Sequence, residues 1–174
     1  MTVRANKPEF NIREKLKSLD YAHVPYEKMP AGSVIQYKTV DSSSNVSVNN
    51  TSYANLSNVT LNFSPKFSTS ILEITLTGTV RFNTTGNGRS RPDFRLVKSG
   101  VVVSGYNFSE ALQVRNLNFN SSSVELNIPF NFVVRDIADT LETINYTWQW
   151  RKLDSQYIDL AGVTYRQTIM EIRQ

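Results

Sequence analysis

The sequence predicts an all-β protein, an antiparallel β-sandwich of jelly-roll type that carries a short helical arm at its N-terminus. Two long runs, Ser70 to Asn83 and Val124 to Arg135, alternate apolar with polar side chains. Because successive side chains on a strand point to opposite faces, each run offers one apolar face to a core. We expect these two strands to supply the facing inner walls of the sandwich. The inward residues are predicted to be Leu72, Ile74, Leu76, Val80 and Phe82 in the first run, and Val124, Leu126, Ile128, Phe130, Phe132 and Val134 in the second.

The composition indicates one domain that needs no disulfide. A chain of 174 residues is long enough to bury roughly 70% of the surface that its unfolded form exposes. It contains no cysteine, which excludes thiol catalysis and cysteine-ligated metals. Its 19 basic and 15 acidic residues give a net charge of +4, without the clustered lysine and arginine that nucleic-acid binding requires. We therefore expect no nucleic-acid partner.

The hydropathy pattern gives no signal for a membrane protein. No apolar run approaches the ~18 residues that a membrane-spanning helix needs. The opening residues MTVRANKPEF lack the apolar core of a signal peptide. The sequence thus predicts a protein that is made in a cytoplasm and does not insert into a membrane.

Residues 1–30 differ from the sandwich domain predicted over residues 31–174 and are interpreted as a docking arm. Asn11 is placed to cap a short helix, Glu14 completes a capping box, and Pro25 discourages continuation. Isolated helices shorter than ~12–15 residues are marginal in water, so this helix needs a surface to dock on. Either its apolar side chains pack on the chain's own sandwich, or the arm inserts into a partner. Those side chains, at helical spacing, are Phe10, Ile12, Leu16 and Leu19.

The first half of the sandwich domain contains several shorter strand signals. Ser33 to Val40 follows a proline–glycine turn, and Asn58 to Ser64 alternates cleanly. The polar residues 41–57 between them are interpreted as a loop or an irregular edge strand. Asp93 to Val97 and Val101 to Ser104 flank a short connection that is typical of a hairpin.

The second half ends in two more predicted strands. Residues 106–119 are ambiguous, with a brief helical possibility at 109–114. After the second long run, a loop is predicted at 136–142, an aromatic strand at 144–152 and a closing strand at 163–173. About eight to ten strands with polar connections favour a jelly roll. An immunoglobulin-like sandwich is less favoured, because two strands are very long and the Cys–Trp–Cys pattern is missing.

The inventory of catalytic side chains is small. His23 is the only histidine, and no motif around it supplies a triad or a second nitrogen ligand for a metal. Asp136, Asp139 and Glu142 are close enough in sequence to hold a hard cation, but they lack the spacing of a known calcium loop. We expect no enzymatic activity, no cofactor and no metal.

The aromatic strand is the best candidate for contact with a ligand or another subunit. Tyr146, Trp148 and Trp150 share one parity, and both tryptophans of the chain lie here. If that face is buried, the three rings belong to the core. If it is exposed, they would meet a glycan or a second subunit, because large rigid aromatic side chains are enriched at interfaces.

The order of elements resembles that of the small jelly rolls of the tumour necrosis factor and C1q family. The similarity rests on the long strand Ser70 to Phe82, the hairpin FRLVKSGVVV (Phe94 to Val103), the long strand Val124 to Arg135 and a hydrophobic last strand ending at Ile172. This resemblance implies a homotrimer.

Shorter motifs resemble modules of virion proteins from tailed bacteriophages. They are AGSVIQYKTV (Ala31 to Val40), SPKFSTSILEITLTG (Ser64 to Gly78) and TIMEI (Thr168 to Ile172). In that group such a module follows a segment similar to KPEFNIREKLKSLD (Lys7 to Asp20), which is an attachment arm. The chain lacks the shaft or collagen-like repeats of long fibres, so both a tail position and head decoration stay open.

Together these resemblances imply a non-enzymatic structural protein of a bacteriophage virion. It would be anchored to other virion proteins through its arm and would display a trimeric jelly roll as a tail fibre-like appendage or a capsid decoration. The alternative function is that of a carbohydrate-binding adhesin, which recognises a glycan on the host surface.

Overall fold

The computed structural model describes residues 25–42, 46–48, 51–84, 91–108, 112, 124–153, 157–160 and 165–174. Within these residues, no helix has the length and apolar character that crossing a membrane requires. The predicted arm helix and His23 lie outside the described part of the chain, as does most of the helical possibility at 109–114. The boundary between arm and sandwich therefore stays a prediction. The arm residues concerned are Phe10, Ile12, Leu16 and Leu19.

The described residues form eleven strands and one short 3-10 helix, which spans Tyr26–Lys28. The strands are β1 (Val34–Ser42), β2 (Val46–Val48), β3 (Ala54–Asn55), β4 (Leu61–Phe63), β5 (Ile71–Thr84), β6 (Pro92–Lys98), β7 (Val101–Asn107), β8 (Val124–Ile137), β9 (Ile144–Lys152), β10 (Tyr157–Leu160) and β11 (Tyr165–Ile172).

The larger sheet is built around β5. Strand β8 pairs antiparallel with β5 along its whole length, from Ile71 opposite Ile137 to Thr84 opposite Val124. On the other edge of β5, β11 pairs with the first half and β10 with the last residues. Strand β1 then pairs with β11, and β2 pairs with β10. The polar stretch after β1 thus contains an edge strand, the second of the two alternatives for it.

The pairing of β5 with β8 corrects one expectation from the sequence. The two long strands are neighbours in one sheet, and the prediction that they form facing walls is wrong. Equal parity places both apolar sets on the same face, with Ile74 opposite Val134 and Leu76 opposite Phe132. The predicted inward set of β5 is fully buried, and on β8 the residues from Leu126 to Val134 follow the predicted alternation.

The smaller sheet supplies the facing wall. Its centre is β9, which pairs with β6 on one edge and with both β3 and β4 on the other, while β7 pairs with β6. From β4 to β11 the chain passes back and forth between the two sheets: β4 lies in the smaller, β5 in the larger, β6 and β7 in the smaller, β8 in the larger, β9 in the smaller, and β10 and β11 in the larger. This wrapping confirms the antiparallel sandwich of jelly-roll type.

The core between the sheets is rich in aromatic side chains. Phe94 of β6 lies against rings of the other sheet, with its centroid 5.4 Å from that of Phe130 and 5.2 Å from that of Phe132. Trp150 stacks beside Phe94 at 5.9 Å. Burying each such side chain contributes about 1.5–3 kcal/mol, and aromatic pairs add about 0.5–1.5 kcal/mol. The aromatic cluster therefore holds the two sheets together.

Two further differences from the sequence analysis concern short segments. Strand β10 (Tyr157–Leu160) was not predicted, because four residues give too little periodicity to distinguish a strand from a loop. The loop predicted at 136–142 begins later, since Asp136 and Ile137 still pair with β5.

Gly78 is a closely packed point of β5, where side chains of the neighbouring strands β8 and β11 approach its backbone. A Cβ built on this glycine would lie 2.8 Å from Cβ of Tyr165 and 3.2 Å from the ring of Phe130. We predict that Gly78→Ala lowers the free energy of unfolding by about 1–3 kcal/mol, the usual range for overpacking. Urea denaturation would measure it, with Thr77→Ala on the outer face of the same strand as the control. Equal stability of Gly78→Ala and the parent would contradict this packing.

Candidate functional site

The two faces of β9 have different roles. Tyr146 and Trp148 have no exposed surface, and Trp150 is 1% exposed. The structure therefore shows the core alternative. The three rings are buried, so the prediction that they contact a ligand or another subunit is wrong. The reason is parity, because their face of β9 is turned toward the larger sheet. The opposite face carries polar side chains at the alternate positions, namely Asn145, Thr147, Gln149 and Arg151.

The carboxylates at the end of β8 interact with groups of the smaller sheet. The Tyr146 hydroxyl donates to Oδ2 of Asp136 over 2.7 Å, and burial, together with this bond, raises the pKa of Tyr146. Lys98 Nζ lies 3.0 Å from Asp136 and 2.9 Å from Asp139. Burial opposes its charge, but the hydrogen bonds to Asp139 and Asp136 prevail and raise the pKa of Lys98.

The ammonium group of Lys98 thus lies beside Asp136 and Asp139, two of the three carboxylates that the sequence analysis considered as ligands for a cation. The third residue of that set, Glu142, is exposed beyond the end of β8. Among the residues that the structure describes, no group of three or more acidic, histidine or cysteine side chains is arranged to hold a metal.

The outer face of the smaller sheet contains a polar groove, which we call the Arg95 groove. It consists of two adjoining depressions of about 240 and 260 Å³ that share Arg95 and Val102. The first is further lined by Asn55, Val97, Gly100, Asn145, Thr147 and Gln149, and the second by Tyr53, Val103, Ser104, Gly105, Tyr106 and Arg151.

Two guanidinium groups lie against one aromatic ring in this groove. The centroid of Tyr53 is 3.6 Å from Cζ of Arg95 and 4.4 Å from Cζ of Arg151. Such cation–π contacts contribute about 0.5–2 kcal/mol each. The ring of Tyr53 therefore fixes both guanidinium groups on the outer face of the sheet.

A buried carboxylate anchors one side of this arrangement. Asp93 has no exposed surface, and its Oδ2 accepts from the Tyr53 hydroxyl over 2.5 Å and from Nε of Arg151 over 2.8 Å. Burial and the hydrogen bond to Asp93 raise the pKa of Tyr53. The charge of Arg151 is matched by Asp93, whose Oδ1 has no hydrogen-bond partner among the residues that the structure describes.

Arg95 has no such counter-charge among the described residues. Its Nε donates to Oε1 of Gln149 over 2.8 Å, and Nε2 of Gln149 donates to Oδ1 of Asn55 over 2.8 Å. No acceptor within the described part of the chain bonds the two terminal nitrogens of Arg95. Those nitrogens can bind a carboxylate in a bidentate manner, and the amides beside them can bind hydroxyl groups.

Sequence reasoning missed this groove, although part of its signal was present. The polar parity of the aromatic strand placed Gln149 and Arg151 opposite the rings. Arg95 alternates with apolar residues in the β6–β7 hairpin, so its outward direction was also readable. The position of Tyr53 was not, because it precedes the two-residue strand β3.

The outer face of the larger sheet is different in character. At one end, aligned residues of four strands form what we call the apolar row, which consists of Val34, Ile172, Ile71 and Ile137. Val34 is 50% exposed and Ile137 is 60% exposed. Residues 25–30, the last part of the predicted N-terminal arm, lie at the same end, where the Arg173 side chain donates to the carbonyl groups of Tyr26 and Met29.

Comparison with known proteins gives only distant similarities. No family model and no curated protein matches the chain. Among solved structures, the infectious bursal disease virus VP2 subviral particle is similar at 10% identity and a TM-score of 0.41, covering 99% of this chain and 37% of that one. The insecticidal delta-endotoxin Cry8Ea1 of Bacillus thuringiensis is similar at 14% identity and a TM-score of 0.37, covering 75% and 19%.

A third similar structure is dimeric latent PorU of Porphyromonas gingivalis, at 10% identity and a TM-score of 0.32, covering 83% of this chain and 14% of that one. Viral capsid proteins are thus among the solved structures to which the chain is similar. The chain spans 14% to 37% of the length of the three structures named. Similarity at this level defines neither a family nor an activity.

The Tyr53–Asp93 hydrogen bond leads to a prediction about alkaline stability. Tyr53→Phe keeps the ring but removes the donor, so we expect a loss of about 1–3 kcal/mol in the free energy of unfolding at neutral pH. As the pH rises through the ordinary tyrosine pKa of 10.0, the unfolded chain releases a proton that folded Tyr53 retains, and the parent loses stability. This alkaline loss should be smaller in Tyr53→Phe. Urea denaturation over a pH series would measure both effects.

The exposed Tyr37 supplies the control for that experiment. Tyr37→Phe is the same chemical change at a side chain that is 74% exposed, and it should leave the stability at neutral pH unchanged. An identical alkaline slope in Tyr53→Phe and the parent would show that the folded chain does not hold the Tyr53 proton.

Proposed function

We propose that this chain is a non-enzymatic structural protein of a bacteriophage virion, displayed at the particle surface and attached through its N-terminal arm. The observation that carries the proposal is a jelly roll with one continuous core. Its last strand is followed by Arg173, which bonds the residues at the end of the predicted arm. The sequence motifs that resemble modules of bacteriophage virion proteins support a bacteriophage as the kind of particle. Both a tail appendage and a capsid decoration fit this proposal.

The body supplies its own stable scaffold. Its core is a single cluster that draws buried residues from both sheets, from Leu56 to Ile169. A chain with this much burial contributes a rigid unit, while the arm is the segment whose apolar stripe needs a separate surface. The division of labour is therefore a folded body for display and an arm for attachment.

The last part of the predicted arm is fixed to the body by the last strand. The backbone N–H of Gly32 donates to the carbonyl of Arg173 over 2.8 Å, and the Arg173 side chain binds the turn formed by Tyr26 and Met29. Any load on the arm is thus passed to β11, which pairs with both β1 and β5. This connection suits an attachment point.

We predict that deletion of residues 1–24 leaves the sandwich folded but prevents its incorporation into particles. This truncation spares the contacts of Arg173 with Tyr26 and Met29. Circular dichroism and thermal melting would test the fold, and immunoblots of purified particles would test incorporation. Normal incorporation of the truncated chain would refute the anchoring role of the arm.

Point variants distinguish the contribution of the apolar stripe to attachment from that of the arm as a whole. Leu16→Asp places a charge on the stripe and should reduce incorporation at least about tenfold, since a buried unpaired charge costs several kcal/mol. Ser18→Asp, which adds the same charge on another face of the predicted helix, is the matched control and should incorporate normally.

We also propose that the displayed body is a homotrimer whose copies meet through the apolar row. A row of four aliphatic residues at one end of a sheet face is the kind of surface that protein contacts bury. The Glu73–Arg135 pair, with 2.9 Å between Oε2 and Nη2, lies in the neighbouring row and adds polar groups beside it.

Ile137→Lys should convert the trimer to a monomer, because it introduces an ammonium group into an apolar contact. Native mass spectrometry of the full chain would measure the state. Val101→Lys is the matched control, since Val101 is also exposed but lies on the β6–β7 hairpin of the smaller sheet. A parent chain that is a stable monomer, on or off the particle, would end the trimer proposal.

The second candidate function is that of a carbohydrate-binding adhesin that contacts the host surface. The Arg95 groove favours it, because amide, hydroxyl, guanidinium and aromatic groups converge there on an exposed face. Both functions can reside in one chain, since the groove and the apolar row lie on opposite outer faces of the sandwich.

A further inference from the structure

We propose that the Arg95 groove binds a saccharide that carries a carboxylate, with Arg95 as the group that recognises the acid. This inference rests on the second candidate function and gives it a site and a ligand class. The candidate ligand site thus moves from the buried rings of β9 to the polar face of the same strand.

The charge balance of the groove selects an anion. Arg95 and Arg151 bring two positive charges, and Asp93 supplies one negative charge that is bonded to Arg151. The remaining positive charge is that of Arg95, whose terminal nitrogens have no acceptor among the residues described. A planar guanidinium group with two adjacent N–H groups matches a carboxylate in bidentate geometry.

Arg95 is held in place before any ligand arrives. Its Cζ lies 3.6 Å from the centroid of Tyr53, and its Nε donates a hydrogen bond to Gln149, which in turn donates one to Asn55. Tyr53 is itself fixed through its hydroxyl to the buried Asp93. A side chain with this much support loses little conformational entropy on binding, which favours affinity.

The remaining groove lining suits sugar hydroxyl groups. Asn55 and Gln149 place amide groups on one side of Arg95, and Ser104 and Tyr106 lie on the other. Each depression is smaller than the ~300–1,000 Å³ of pockets for drug-sized ligands, and each is open to solvent. Two small polar depressions that share one arginine fit neighbouring rings of a short saccharide, with the carboxylate at the shared position.

An acidic peptide is the competing ligand class, and the lining disfavours it. Peptide recognition on a sheet uses an exposed strand edge or apolar pockets for side chains. The part of the Arg95 groove that holds Asn55, Arg95 and Gln149 lies on the face of the sheet, where β9 already makes its strand hydrogen bonds with β3 and β6.

The test is isothermal titration of the full chain with trigalacturonate and 3′-sialyllactose, which present a carboxylate on two different sugars. Binding of at least one is expected, and its affinity should fall with added salt. Trigalacturonate methyl ester and lactose, the uncharged counterparts, should bind at least about tenfold more weakly, because a charge-assisted bidentate contact is lost. Oligoglutamate should bind no better than these neutral sugars.

Variants locate the binding to Arg95. Arg95→Gln should weaken the acidic saccharide at least about tenfold, and Arg95→Lys, which keeps the charge but not the fork, should lie between it and the parent. Arg166→Gln is the matched control, since it removes the same charge from the outer face of the larger sheet and should bind as the parent does. Thermal melting would establish that each variant is folded.

The proposal is overturned if neither acidic saccharide binds, if the methyl ester binds as tightly as the acid, or if Arg95→Gln binds as the parent does. Tight, Arg95-dependent binding of oligoglutamate would overturn the saccharide class. Incorporation into particles is measured on the same variants and should be normal for Arg95→Gln. Loss of glycan binding and loss of attachment are therefore separate results.

Discussion

The pairing of β5 with β8 is the constraint on which the rest of the structure depends. Over fourteen residues each, these strands run antiparallel in register and present their apolar side chains on one common face. A face of that size is unstable in water unless another layer covers it. The smaller sheet provides that cover with Phe94, Trp148 and Trp150, and the jelly-roll path of the chain follows from the need to alternate between the two layers.

The sequence predicted the layers better than their arrangement. Alternation identified β5, β8 and the aromatic strand, and it chose the buried face of β5 correctly. It failed for the relation between β5 and β8, because two strands with the same parity look alike whether they lie side by side or face to face. Only hydrogen-bond register separates the two cases, and register depends on residues that are distant in sequence.

The candidate groove was harder to predict for a related physical reason. Its central contact joins Tyr53, which precedes a two-residue strand, to Arg95 and Arg151 on two other strands. Local patterns report which way a side chain points, and the alternation along β6 and β9 is enough to indicate that both arginines point outward. They do not report which other segment covers it, so the aromatic residues attracted the first interpretation although they belong to the core.

The opposed placement of the Arg95 groove and the apolar row has a consequence for avidity. In the proposed homotrimer, copies joined through the larger sheet would leave every groove turned outward, so that one assembly would present several equivalent sites at fixed spacing. Linked sites raise the effective concentration for each later binding event, and the overall strength can exceed that of one site by about 10²–10⁴. A shallow, weak site would then hold a particle to a repeating surface polymer while each single contact still releases quickly.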